Sequence, residues 1–95
     1  MTKGTFLLCA TFRIPADGLD SFRAFEDAVL PLLADHGGVL ERRLRTADGL
    51  TEVHVIRFDS QVGFDAFRAD PRRAAWAPLL ERSGAVAEIL AVEQV

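Results

Sequence analysis

The stretch VLERRLRTADGLTEVHVIRF, residues 39–58, decides the fold. Two runs of strand-forming residues flank Ala47-Asp48-Gly49, and Asp-Gly between such runs signals a β-hairpin. With Asp48 and Gly49 as the loop, partner numbers sum to 97, which pairs Arg45 with Glu52, Arg43 with His54 and Glu41 with Ile56. The opposite face pairs Leu44 with Val53 and Arg42 with Val55. Side chains alternate with period two, so the sorting of faces survives a two-residue change in loop length.

Outward from the hairpin, the pattern continues. Residues 5–13 (TFLLCATFR) are apolar, aromatic and β-branched, and read as a first strand ending at the turn Pro15-Ala-Asp-Gly18. Asp17 is the expected N-cap of a helix running to about His36, with Phe22, Phe25, Val29, Leu32 and Leu33 at helical spacing. Pro31 should bend it or loosen one turn, and Gly37-Gly38 supplies a left-handed C-cap. Beyond the hairpin, Asp59 or Ser60 caps a short helix carrying Phe64 and Phe67. Asp70-Pro71 opens a further helical segment with Ala75, Trp76, Leu79 and Leu80 on one side. Residues 86–95 form the last strand. The order is βαββ(αα)β, which predicts one α+β domain over residues 1–95. It is a ferredoxin-like βαββαβ sandwich in which helices cover one face of a four-stranded antiparallel sheet. The helix-free face, expected to present Val39, Leu50, Ile56 and Phe58, is apolar enough to require a cover, and a second copy on a two-fold axis supplies one.

Composition narrows the function. The chain has 95 residues and a net charge of −3, so a nucleic-acid partner, which requires a basic stripe, is not expected. One cysteine, Cys9, rules out an internal disulfide and a multi-thiolate metal site. No apolar run is long enough to span a bilayer, and Lys3 is followed by no secretory h-region, so a cytoplasmic protein without a membrane partner is expected. No glycine-rich phosphate loop is present, and no cofactor is expected.

His36-Gly-Gly38, the run from Glu52 to Phe58, Asp59-Ser60 and Ala69-Asp-Pro-Arg72, taken in this order of elements, resemble the dimeric α+β barrel superfamily. Its members include antibiotic-biosynthesis-monooxygenase-like proteins and related uncharacterised families. The resemblance covers nearly the whole chain. It implies a homodimer whose facing sheets form a barrel, with a ligand pocket on the open side of each sheet. The activities it implies are cofactor-independent oxygenation, haem degradation and isomerisation. The haem-degrading members resemble one another in an Asn–Trp–His constellation, and this chain contains no Asn. It also lacks Tyr, which leaves Trp76 alone among the aromatic residues that quinone-forming members use. Fold carries over; catalytic residues do not.

The candidate site is therefore built from residues of this chain. Glu41, Arg43, Arg45, Glu52 and His54 are expected to share one side of the hairpin, inside or at the mouth of the barrel. His54 is the candidate catalytic base. Arg43 opposite it, together with burial, should lower its pKa and keep the ring neutral. The plainer account is a polar network that satisfies itself. Arg13, Arg43 and Arg45 are candidate counter-charges for an anionic ligand, with Glu41 and Glu52 beside them. Trp76 either packs in the core or stacks on the ligand. His54 with Glu41 and Glu52 is the single candidate metal set, and arginine pairing accounts for both glutamates, so no metal is expected. The resulting expectation is a homodimer that binds a small apolar or aromatic molecule. The alternatives are a cofactor-independent monooxygenase or isomerase acting on an aromatic or polyketide-type substrate, and a purely structural dimeric module.

Overall fold

Hydrophobic alternation in the strands and a 3.6-residue period in the first helix produce two layers. The computed structural model describes residues 5–95, so Lys3 lies outside it. Strands β1 (Phe6–Arg13), β2 (Gly38–Arg45), β3 (Thr51–Phe58) and β4 (Val86–Val92) form one antiparallel sheet in the order β2-β3-β1-β4. Helices α1 (Leu19–Val29), α2 (Gln61–Arg68) and α3 (Pro71–Ser83) complete the ferredoxin-like order. No helix among the described residues is long and apolar enough to cross a membrane.

The hairpin register is the expected one at Arg45–Glu52, Leu44–Val53, Arg43–His54 and Arg42–Val55. The turn is longer than two residues. Thr46 N–H bonds Thr51 C=O, and Gly49, at φ 77°, closes a turn back to Thr46. The pairing sum of 97 survives because both strands give up one residue. Leu50 thereby leaves the strand and enters the loop. Glu41 does not pair with Ile56. A bulge between Leu40 and Arg42 leaves it as the extra residue, and Leu40 takes Ile56 instead. Glu41 instead meets Arg57, at 2.8 Å, in an exposed ion pair.

The local signals for helix ends mostly hold. Pro31 ends α1, and residues Leu30–His36 tighten into a 3₁₀ helix closed by Gly37 at φ 71°. Ser60 caps α2 by accepting from Gly63 N–H, and Asp70 caps α3 by accepting from Arg72 N–H. Asp17 does not cap α1. Residues Ala16–Gly18 form their own 3₁₀ turn, which puts Gly18 at the head of the helix with no side-chain cap. Gly18 also packs against the backbone of Ser83, where any Cβ would collide.

Two sets of side chains meet under the helices. Leu8, Phe25, Val29, Leu33, Ile56, Phe58 and Phe67 form one buried cluster. Ala10, Phe12, Ile14 and Phe22 form the other. The placement of Ile56 and Phe58 on the helix-free face is thus corrected: both are buried beneath the helices. Alternation puts the odd-numbered residues of β1 and β3 on the other face. That face presents half-buried Leu7, Cys9, Val53 and Val55 with exposed Val39, Leu44 and Leu90. The expectation of an apolar open face stands, and of the residues named for it Val39 remains there.

Candidate functional site

The even-numbered face of β3 carries Glu52 and His54 into the space under the helices, in line with Ile56 and Phe58. Both polar side chains are almost completely buried, which costs free energy unless each is satisfied. Glu52 is satisfied many times over. Arg43 donates from Nε to Oε1 at 2.9 Å and from Nη2 to Oε2 at 3.4 Å. Arg45 donates from Nε to Oε2 at 2.9 Å, and His54 donates from Nε2 to Oε1 at 2.9 Å. Burial works to raise the Glu52 carboxyl, but the bonds from Arg43, His54 and Arg45 outweigh it and hold the pKa down to about 2. An ionised carboxylate only accepts, so the proton of the neutral imidazole sits on Nε2 and Nδ1 is bare.

Nδ1 of His54 faces Oε2 of Glu26 at 3.8 Å, beyond hydrogen-bonding distance. Glu26 comes from α1 and is 3% exposed. Burial pushes its carboxyl up to about 7; Arg43 opposes the shift and Glu52 adds to it. Burial likewise lowers the His54 pKa, against the opposing bond to Glu52, with Arg43 and Arg45 adding to the lowering. Two adjacent groups are thus both pushed toward their neutral forms at neutral pH. His54 also packs on Phe12, with ring centroids 4.9 Å apart.

His54 and Glu26 both line a cavity of about 110 Å³ between the sheet and the helices. The rest of its wall is mostly apolar: Phe12, Phe25, Ile56, Phe58, Phe64 and Phe67 are among the residues that enclose it, with Ile89 of β4. Arg68 of α2 and Arg73 of α3 also line it. Their guanidinium groups lie over aromatic rings, Arg68 over Phe64 at 5.4 Å, Arg73 over Phe67 at 5.4 Å and over Phe25 at 5.7 Å. On its other side Glu26 lines an open groove of about 430 Å³ with Leu40 and Arg43, which gives its carboxyl a route to water.

The site differs from the sequence expectation in four ways. The pocket lies on the helix side of the sheet, because Glu52 and His54 point inward with the core residues of β3. Arg43 and Arg45 do come together with Glu52 and His54, but their charge is spent on Glu52. Arg13 and Glu41 are exposed and line no part of the cavity: Arg13 follows the odd face of β1, and the bulge sends Glu41 to Arg57. Trp76 is neither core nor pocket. It is 46% exposed on α3, whose apolar residues do not form a stripe.

Glu26, Arg68 and Arg73 are the residues that sequence reasoning missed. A signal for Glu26 existed: it stands four residues after Phe22 and three before Val29, on the apolar stripe of α1. No periodic signal marked the arginines. Among the described residues no group of three or more His, Cys, Asp or Glu side chains could hold a metal ion. His36 is structural: its Nε2 is 2.8 Å from Asp70 Oδ2, which ties the end of the 3₁₀ helix to the cap of α3.

No protein-family model matches this sequence, and no curated protein matches it. Solved structures do. Rv0793 from Mycobacterium tuberculosis is 24% identical, with 97% of this chain and 98% of that chain covered and a TM-score of 0.73. A putative antibiotic biosynthesis monooxygenase from Bacteroides thetaiotaomicron superposes with a TM-score of 0.82 at 8% identity, covering 100% of this chain and 93% of the other. SnoaB from Streptomyces nogalater, a cofactor-independent oxygenase, gives a TM-score of 0.74 at 17% identity, covering 97% and 96%. Identities this low speak for the fold alone. What the chain shares with these structures is the fold, a ferredoxin-like α+β sandwich built on a four-stranded antiparallel sheet.

Proposed function

We propose that residues 1–95 act as one cytoplasmic, homodimeric barrel domain that holds a small apolar or aromatic molecule between its sheet and its helices. The observation that carries this reading is the cavity: a phenylalanine-rich wall with a few polar groups converging on it, the usual make-up of a ligand site. Its volume of about 110 Å³ is comparable with apolar cavities of about 150 Å³ that take up benzene. That is room for a single ring. Toluene at millimolar concentration should raise the melting temperature in proportion to RT ln(1 + [L]/Kd). No shift with toluene would refute the reading.

Dimerisation is supported by the helix-free face, where Val39, Leu44, Leu90 and Val92 are exposed beside the half-buried Val53 and Val55. A second copy placed sheet to sheet would cover them. Light scattering at micromolar concentration should return twice the monomer mass of 10.4 kDa. A well-folded monomer would overturn the dimer.

One observation favours a second reading, a cofactor-independent oxygenase or isomerase. A neutral imidazole with a bare Nδ1 at the cavity wall is the form a general base needs, and Glu52 fixes its tautomer. SnoaB, of the same fold, is such an oxygenase.

A further inference from the structure

We propose that the cavity selects a single-ring aromatic anion, such as a carboxylate, held by Arg73 and Arg68 beside the carboxyl of Glu26. This inference rests on the ligand-binding reading and specifies its chemistry.

Arg73 carries the argument. Its Nε is buried and has no hydrogen-bond partner. A buried donor left unpaired in this way is destabilising until an acceptor reaches it. The guanidinium is clamped over Phe25 and Phe67, two rings of the cavity wall, and α3 brings it to the cavity. Arg68 reaches the same cavity from α2, and neither arginine takes part in an ion pair among the described residues. By contrast Arg43 and Arg45 are both ion-paired with Glu52. The cavity therefore has an apolar interior the size of one ring and two cations without acidic partners. An aromatic anion supplies what each part lacks, a ring for the phenylalanines and an acceptor for the orphaned donor.

Glu26 sets the pH range. Among the described residues it is the one acidic side chain that lines the cavity. The charged and titratable groups acting on it are Arg43 of β2, Glu52 and His54 of β3, Arg73 of α3 and its neighbour Asp27. Protonated, it can donate a hydrogen bond to a ligand carboxylate; ionised, it repels one. Its carboxyl is pushed up to about 7, so the anion should bind below that pH and be expelled above it.

The test compares benzoate with benzyl alcohol, a neutral molecule of similar size, by calorimetric titration of the full chain. At about pH 6 benzoate should bind the parent about tenfold more tightly, the effect of one charge-assisted hydrogen bond. Arg73→Gln should reduce that preference for benzoate over benzyl alcohol to about twofold. Arg68→Gln, at an exposed residue on α2, should weaken benzoate in the same sense and provides a second variant should Arg73→Gln fail to fold. Raising the pH from 6 to 8 should weaken benzoate for the parent but not for Glu26→Gln, which has no proton to lose. If benzyl alcohol binds the parent as tightly as benzoate, the anion proposal fails while the ligand-binding reading survives. The proposal fails equally if neither arginine substitution changes the benzoate preference. Binding of neither molecule refutes both.

Discussion

Glu52→Ala should destabilise the protein by about 3–5 kcal/mol, the cost of removing one partner from a buried ion pair. Glu52 is completely buried and accepts from Arg43, Arg45 and His54. Its removal leaves two guanidinium groups facing each other across a gap and the Nε2–H of His54 without an acceptor. Glu52→Gln should cost less, because the amide oxygen still accepts. Urea denaturation at neutral pH measures both losses, and an alanine variant within 1 kcal/mol of the parent would show that the network contributes only shape. The same residue predicts an acid dependence. Its folded pKa is depressed from 4.5 to about 2, so the folded state releases this proton more readily than the unfolded chain. The stabilisation is therefore present above about pH 4.5 and is lost as the pH falls toward 2.

Glu26→Gln should have the opposite sign. The Glu26 carboxyl is raised from 4.5 to about 7, so the folded state holds a proton that the unfolded chain has already released. Stability consequently falls as the pH rises from about 4.5 to about 7, and the deficit persists above that. At 1.36 kcal/mol per pH unit the deficit is about 3 kcal/mol. Glutamine cannot ionise and escapes it. Relative to the parent, the variant should gain about 3 kcal/mol between pH 4 and pH 8, read from urea midpoints at both. An offset that does not change with pH would place the Glu26 pKa in the ordinary carboxylate range. A buried residue whose replacement stabilises the fold is one whose presence is explained by what it does rather than by what it supports.

Much of the fold was legible because it depends on local chemistry. Asp48-Gly49 marked the hairpin, Pro31 a disturbance in the helical run to His36, and Asp70-Pro71 the start of α3, each by a backbone preference that neighbours do not override. The pairing of Arg43 and Arg45 with His54 and Glu52 followed from counting. Which side of the sheet faces the helices could not be obtained by counting. Glu52, His54, Ile56 and Phe58 share one face of β3, and two charged or polar residues in four make that face look open to water. The apolar pair decides instead, and the polar pair is carried inside, where the arginines of β2 compensate it. Glu41 shows a different limit. A bulge leaves no mark in the residue pattern here, so alternation predicted the wrong face from that point on. Trp76 was misread because α3 has no apolar stripe to place it. Arg73 was invisible because its role depends on meeting Phe25 and Phe67 across elements distant in the chain.

The bulge also has a consequence for how the site tolerates changes in length. Counting back from the turn, Arg45 and Arg43 are in phase with Glu52 and His54. Beyond the bulge the phase advances by one, and Leu40 and Gly38 fall in with Ile56 and Phe58. The strand is thus two rulers joined at Glu41, one measuring the arginines against the polar half of β3 and the other measuring small and apolar residues against its apolar half. Losing the joint would merge them into one regular ladder with every inward partner intact, at the expense of an exposed Glu41–Arg57 pair. Losing a residue between the joint and the turn would instead rotate an arginine out of reach of Glu52. Position 41 is where this strand can change length while its buried charges stay neutralised.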